Sequence, residues 1–372
     1  MKLQSSFFFV CCQPGAEALL KDELAREAPR LRFAFSRPGF VTFKDVDSRP
    51  FSPNYDVGSV FARSFGLSIG NCKSDDPVSE VVEHARALRE AAGVSLRLHV
   101  WERPLHVPGE EPLGFERGRD STRIEATLRA HEPSLFSDGV EARNDETVLD
   151  VIVMEPGAET SPLFVGFHRQ SGRHHAFPGG EFPIEIPECM PSRAFIKMEQ
   201  ALRWGRLPLQ QKDIAIELGS APGGSSFALL LRGLEVWGID PGAMDPVVWT
   251  DPRCDKRFHH VKKAFSDLKR EDLPKAAQWL ALDINGPVRI SLPYIEQLVG
   301  WFQESLLGCV LTFKINDPKH ARHVPEWLET LEELGLKRVK ATQLPANKRE
   351  ICVVGLTGKG LLRVSGPKKS SV

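Results

Sequence analysis

The sequence predicts an α/β protein: a C-terminal doubly wound parallel sheet with an antiparallel last strand, preceded by two smaller α+β domains. Three observations carry this. From about residue 191, short apolar strands ("IAIEL", "EVWGI", "WLAL", "CVLTFK") alternate with helical stretches, the rhythm of a parallel sheet covered on both faces. The last two strand-like segments, "LKRVKATQL" and "EICVVGL", are only a few residues apart, which permits a hairpin and forbids a parallel crossover. The front half lacks that alternation and shows strands with local pairings instead.

In order, "FFFVCC" reads as a strand, and "AEALLKDELARE" carries apolar residues at 16, 19, 20 and 24, a helical stripe. "LRFAFS" and "FVTF" flank the turn signal "RPG". A second unit opens at Asp76, an N-cap with Pro77 behind it, and its helix stops at Gly93. The strand "SLRLHVW", a helix over 121–129 and the strands "VLDVIVM" and "LFVGFH" follow. The Gly-, Pro- and base-rich stretch "RQSGRHHAFPGGEFPIEIPECMP" reads as a linker or crossing loop. Beyond it "AFIKMEQALRW" is helical, with Ser192 the expected N-cap. The expected divisions are 1–75, 76–170, a linker at 171–190, the doubly wound domain at 191–360 and a basic tail at 361–372.

The chain has 372 residues and a net charge of −1, and no apolar run approaches the ~20 residues of a membrane span. The apolar patch Phe7 to Cys12 is shorter than the roughly 7–15 residues of an export signal, so a first strand is expected there. Seven cysteines without CxxC spacing argue against a disulfide framework or a zinc site, and a cytoplasmic protein with reduced thiols is expected. From Lys337 to Val372 nine Lys/Arg face a single acid, Glu350. A cluster of that kind on a strand pair suits a polyanionic partner.

"IAIELGSAPGGSSFALLL" is strand, glycine loop and helix. Gly219, Ser220, Ala221, Pro222, Gly223 and Gly224 form a turn whose backbone can approach a ligand, and Asp240 ends the next strand, placed for ribose hydroxyls. A bare tight turn is the plain alternative. The dinucleotide pattern G-x-G-x-x-G is absent. Pro222 and the strand-end acid Glu217 fit a cofactor with an ammonium and a sulfonium rather than a pyrophosphate, namely S-adenosylmethionine.

Ligands of a doubly wound sheet bind beyond the carboxyl ends of its parallel strands. Glu217, Asp240, Asp283 and Lys314 end four of these strands, and Glu350 begins the reversed last strand, so five groups converge on one rim. Singly, each is an ordinary strand-end charge or helix cap. Together they suit removal of a proton from a weakly acidic hydroxyl. A lysine serves as base when burial and a second ammonium lower its pKa to roughly 7–8, which is the expectation for Lys314.

"LGSAPGGSS" resembles motif I of the FtsJ-like RNA ribose methyltransferases. "PSRAFIKMEQAL", "ALDINGP", "LTFKIND" and "NKREICVV" resemble the four blocks of that family's Lys-Asp-Lys-Glu tetrad. The resemblance implies a Rossmann-like catalytic domain and the catalytic set Lys197, Asp283, Lys314 and Glu350. It also implies S-adenosylmethionine held by the 217–224 loop, Asp240 and Asp283, with no metal. The front half resembles a ferredoxin-like domain followed by a THUMP-like RNA-binding region, an order found in the M-type 2'-O-ribose methyltransferases of bacterial 23S ribosomal RNA, which act on a cytidine. RNA is then the partner, no membrane is involved, and the chain is a monomer or homodimer. Departures are Glu217 for the usual Asp, Ser225 for a common aromatic, and Lys262, Lys263 and Ala264, with Asp267 further on, where an adenine-side acid is common. Two other readings stand beside this one: a methyltransferase for a small molecule or protein, and a catalytically idle RNA-binding relative. "DINGP" lacks the D/N-P-P-Y pattern of base-amine methylation. Cys309 and Cys352 read as core residues rather than nucleophiles.

Overall fold

The computed structural model describes residues 4–107, 118–254 and 256–365, which fall into two compact units, Met1–Pro183 and Ile184–Val372. The last seven residues of the expected basic tail lie outside the described residues.

The first unit runs β1 (Phe7–Cys11), α1 (Glu17–Glu27), β2 (Leu31–Arg37), β3 (Phe40–Asp45), β4 (Ser64–Cys72), α2 (Pro77–Ala92), β5 (Arg97–Glu102), α3 (Arg119–His131), β6 (Thr147–Val153) and β7 (Leu163–Arg169). Its seven strands form one continuous sheet in the order β2-β3-β1-β4-β7-β6-β5, antiparallel throughout except for the parallel pair β5–β6. Strand β4 joins the two halves of that sheet by pairing with β1 on one side and β7 on the other. It escapes a periodicity reading because "SFGLSIGNC" mixes glycines and polar residues into the apolar pattern. Asp76 caps α2 by accepting from the Ser79 N–H, and Gly93 ends the helix in the left-handed conformation, both as its sequence dictates.

One face of this sheet holds the cluster Phe9, Cys11, Phe40, Trp101, Ile152, Met154 and Phe164. Phe9 needs a flat floor, and Gly166 supplies it: a Cβ there would stand 2.5 Å from Phe9 Cε1 and 2.8 Å from the Leu67 carbonyl oxygen. The histidine-rich run 168–175 turns mostly inward rather than toward a partner. His168 Nδ1 bonds Asp150 at 2.6 Å, its Nε2 bonds Gln170 at 3.1 Å, and the His174 ring stacks on it at 4.4 Å. Burial, the largest influence, raises the Asp150 pKa against the His168 charge. The two arginines of the run that reach the surface pair with acids, Arg169 with Asp145 and Arg173 with Asp56.

The second unit runs α4 (Ala194–Gly205), β8 (Ile214–Leu218), α5 (Gly224–Leu231), β9 (Glu235–Ile239), α6 (Val247–Thr250), β10 (Phe258–Val261), β11 (Trp279–Leu282), α7 (Val288–Phe302), β12 (Gly308–Lys314), α8 (Val324–Glu333), β13 (Leu336–Thr342), β14 (Glu350–Thr357) and α9 (Gly358–Ser365). The sheet order is β10-β9-β8-β11-β12-β14-β13. The first five strands are mutually parallel, and β14 is antiparallel to both of its neighbours. The strand order switches direction between β8 and β11, and because the central strands are parallel while β14 is antiparallel, their carboxyl ends share one rim with the start of β14. Two local readings change. The N-cap position of α4 is Arg193, and the Ser192 hydroxyl accepts instead from the Ala194 N–H. Residues 361–365, expected in the tail, complete the last helix.

Gly166→Ala is expected to destabilise the first unit by about 1–3 kcal/mol, the cost of overpacking a filled core. Urea unfolding of the full chain, followed by near-UV circular dichroism, measures it.

Candidate active site

Strand polarity places the central groups. Lys314 is the last residue of β12, Asp283 directly follows β11, and Glu350 is the first residue of β14. The register makes Lys314 and Glu350 direct cross-strand partners. Lys197 arrives from α4, whose next turn is fixed by Gln200 Oε1 accepting from the Ala346 N–H at 2.8 Å. Glu199 pairs with Arg232 at the end of α5 and fixes the same helix from another side.

The four side chains close a ring of alternating charge. Lys314 Nζ donates to Asp283 Oδ1 at 3.1 Å and to Glu350 Oε2 at 2.9 Å. Lys197 Nζ lies 3.2 Å from Glu350 Oε1 and donates to Asp283 Oδ2. Each side chain retains only 10–14% of its exposure. Every carboxylate oxygen in the ring therefore faces an ammonium, and the ring is formally neutral.

The expected depression of the Lys314 pKa is not what this arrangement produces. Burial pushes it down, but the Asp283 and Glu350 carboxylates push it up and prevail, leaving it above the ordinary lysine value. Glu350 mirrors this. Burial pushes its carboxyl up, while Lys197 and Lys314 pull it down further, to a net value below the ordinary range. Each ammonium has two anions for neighbours at bonding distance, and attraction over ~3 Å outweighs repulsion from the more distant second ammonium.

The glycine loop is bound into the same assembly. Gly219 has φ +79°, and a Cβ there would stand 2.6 Å from Ile284 Cγ2 and 2.8 Å from the Asp283 carbonyl oxygen. A Cβ on Gly224 would stand 2.3 Å from Ser192 Oγ and 2.8 Å from the Phe195 backbone nitrogen. These glycines let the loop press on the segment that carries Asp283 and on the start of the helix that carries Lys197. That packing role was not visible in the motif. Ser220 is buried with its hydroxyl toward Met244, and Ala221 and Pro222 form a cis peptide. Asp240 accepts from the Ala221 N–H at 3.2 Å and the Gly242 N–H at 2.7 Å, so its carboxylate tethers the loop.

Glu217 is placed differently from the other rim groups. It is 1% exposed and accepts from the Ser226 hydroxyl. Burial pushes its pKa up to about 8; the Ser226 hydrogen bond opposes this, and the charges of Asp283 and Asp240 add to the rise. The loop is thus surrounded by three acids that sense one another. Glu217 is held largely neutral and Asp283 is paired with both lysines, so Asp240 is the acid beside the loop whose charge no lysine or arginine is shown to balance, a carboxylate that suits a polar or positively charged ligand group better than a pyrophosphate. Residues 217–224, Asp240 and Asp283 are the groups that would hold it.

Sequence reasoning overlooked the segment after β12. There Lys319, Arg322 and His323 are exposed on a short helical turn, Pro318–His323, that Asp317 caps. Lys348 and Arg349, exposed immediately before Glu350, add to the positive rim. The signal was present in "NDPKHARH" but carries no recognisable spacing. Cys309 and Cys352 are buried, and burial pushes the Cys309 thiol up to about 12, so neither offers a thiolate. Among the described residues no group of three or more His, Cys, Asp or Glu is positioned for a metal, and no helix is long and apolar enough to cross a membrane.

No protein-family profile matches the chain. It is similar to proteins named ribosomal RNA large subunit methyltransferase M. The relative from Pectobacterium atrosepticum is 25% identical over 366 residues, covering 92% of this chain and 94% of the relative. The relative from Proteus mirabilis is 24% identical over 364 residues with the same coverage. The resemblance to the M-type proteins therefore extends through both units. Among solved structures, TrmN from Thermus thermophilus is 13% identical, covers 94% of this chain and 99% of its own, and has a TM-score of 0.33, too slight a likeness to bear on function.

The ring fixes the sign of a pH effect. Glu350, with its pKa depressed on folding, contributes stability that is present above its unfolded value of roughly 4.3 and is lost as pH falls through the depressed folded value. Lys314, with its pKa raised, contributes stability below roughly 10.4 that is lost only at still higher pH. Glu350→Gln is expected to cost about 2–4 kcal/mol at neutral pH, with the gap to the parent chain closing as pH falls below about 4. Chemical denaturation of both chains across pH tests this.

Proposed function

We propose that the chain is an S-adenosylmethionine-dependent RNA 2'-O-ribose methyltransferase acting on a cytidine of 23S ribosomal RNA, in the cytoplasm. The observation that carries this reading is the closed Lys197–Asp283–Lys314–Glu350 ring beyond the sheet's carboxyl edge, beside a glycine loop walled by acids. Similarity to proteins named ribosomal RNA large subunit methyltransferase M supports the substrate class. The exposed Lys319, Arg322, Lys348 and Arg349 beside the ring suit a phosphate backbone.

The cofactor supplies an electrophilic methyl group on a sulfonium. The chain supplies the handling of the proton. Lys314 accepts the 2'-hydroxyl proton through Nζ after first losing its own. Asp283 and Glu350 hold Nζ in place and oppose that first loss, so Lys314 gives up its proton more readily once Asp240 and Asp283 face a bound cation. Lys197 orients the hydroxyl and stabilises the oxyanion as it develops. In this reading the first unit is the RNA platform, with 1–75 ferredoxin-like, 76–170 THUMP-like and 171–190 a crossing segment to the catalytic residues 191–360.

Transfer of radiolabelled methyl groups to 23S RNA from cells lacking this gene is the test. Lys314→Ala is expected to lower the rate by roughly 10²–10⁴. Lys314→Arg keeps the ring's charge but cannot release a proton, so it is expected to be equally slow. In the parent chain, kcat/KM is expected to rise about tenfold per pH unit between roughly pH 6 and 9, because it reports the free protein, in which Lys314 is held protonated. A flat profile, or an active Lys314→Arg, removes the base assignment.

A further inference from the structure

The outer edge of the first unit's sheet leaves aromatic rings exposed beside cations that have no side-chain partner among the described residues. The register sets out three cross-strand rows on β1, β3 and β2: Phe7–Lys44–Arg32, Phe9–Thr42–Phe35 and Cys11–Phe40–Arg37. Residues two apart on a strand share a face. The bulge between Phe33 and Phe35 keeps Arg32, Phe35 and Arg37 in these rows. All three rows therefore lie on the face of the Phe9 cluster.

That face is closed over its inner part and open at its edge. Phe9 and Phe40 are buried, whereas Phe7 and Phe35 are 44% and 46% exposed. Arg37 pairs with Glu155 and lies 5.9 Å from the Phe35 ring centroid. Arg32 and Lys44, in the row of Phe7 and next to the row of Phe35, have no side-chain partner among the described residues. A folded protein covering this edge would have to desolvate both cations and supply two carboxylates. A single-stranded nucleic acid supplies regularly spaced anions together with flat rings whose faces suit phenyl groups.

We propose that Phe7, Lys44, Arg32 and Phe35 form a docking surface for single-stranded RNA, with bases stacking on the two phenyl rings and phosphates meeting the two cations. The proposal rests on the RNA-directed reading above and adds a surface remote in sequence from the catalytic ring. The rings supply affinity that tolerates any base, and the cations supply its salt dependence.

The test uses the full chain and a short, unstructured, fluorescent oligocytidylate, followed by anisotropy across a salt titration. Phe7→Ala and Phe35→Ala are each expected to weaken binding roughly 5- to 50-fold, and Phe35→Trp to preserve it. Arg32→Ala and Lys44→Ala are each expected to reduce the slope of log affinity against log salt by roughly 0.7. Thermal melting and calorimetric cofactor binding are expected to match the parent, since Phe7, Arg32 and Phe35 are exposed and Lys44 is half-buried with no side-chain partner among the described residues. Unchanged oligonucleotide binding by the Phe7→Ala/Phe35→Ala double variant overturns the proposal while leaving methyl transfer to stand or fall separately. A parent chain that binds no RNA and transfers no methyl group overturns both. If Phe35→Asp converts a dimer to a monomer with RNA binding unchanged, the surface is a contact between copies of this chain and the proposal falls.

Discussion

Everything at the rim of the second unit depends on one constraint: four largely buried charges must alternate in sign around a closed ring. An isolated ammonium at this depth is costly, and so is an isolated carboxylate. Two of each, with every carboxylate oxygen facing an Nζ, satisfy one another. Displacing any one member is costly, because the remaining three carry a net charge with little solvent to absorb it. Such a ring demands a scaffold that delivers its members from fixed directions.

The sheet is that scaffold, and its strand polarity does most of the positioning. β11 and β12 run parallel and leave Asp283 and Lys314 at the same edge. β14 runs the other way, so its first residue, Glu350, lies directly across from Lys314. A parallel last strand would have carried that acid to the opposite edge. The fourth member comes from a helix, and here the glycine loop matters in a way its motif does not announce. The missing side chain at Gly224 lets α5 start hard against the start of α4, and the one at Gly219 lets the 283–284 segment close over the loop. Ring and loop are consequently one packed object.

These two kinds of positioning account for what could be read from the sequence. Asp283, Lys314 and Glu350 follow from counting strands and noticing that the last pair is too close for a crossover. Lys197 sits on a helix whose rotation about its axis no periodicity fixes, and only its resemblance to a known block singled it out. The direction of the Lys314 shift was misjudged because it turns on distances: two carboxylates at about 3 Å outweigh burial, and sequence separation says nothing of that. The depth of Glu217 and the inward turn of His168 and His174 were hidden for the same reason, since strand ends and histidine-rich loops look alike whether they face water or the core. Strand β4 was missed for a different reason. Its glycines and polar residues break the pattern, and it exists because β1 and β7 offer it hydrogen bonds on both edges.

The raised Lys314 pKa sets the stabilising and chemical roles of the ring against each other. The contacts that make the ring stable are the contacts that keep a proton on its would-be base. A ring built for stability alone gains nothing from lying beside further acids. This one lies beside Asp240 and Glu217; burial above all, with the charges of Asp283 and Asp240 adding to it, raises the Glu217 pKa to about 8. Asp283 is the group the two share: it pairs with both lysines of the ring, and its charge adds to the rise of the Glu217 pKa that burial begins, so the ring and the acid beneath the loop are linked through one carboxylate.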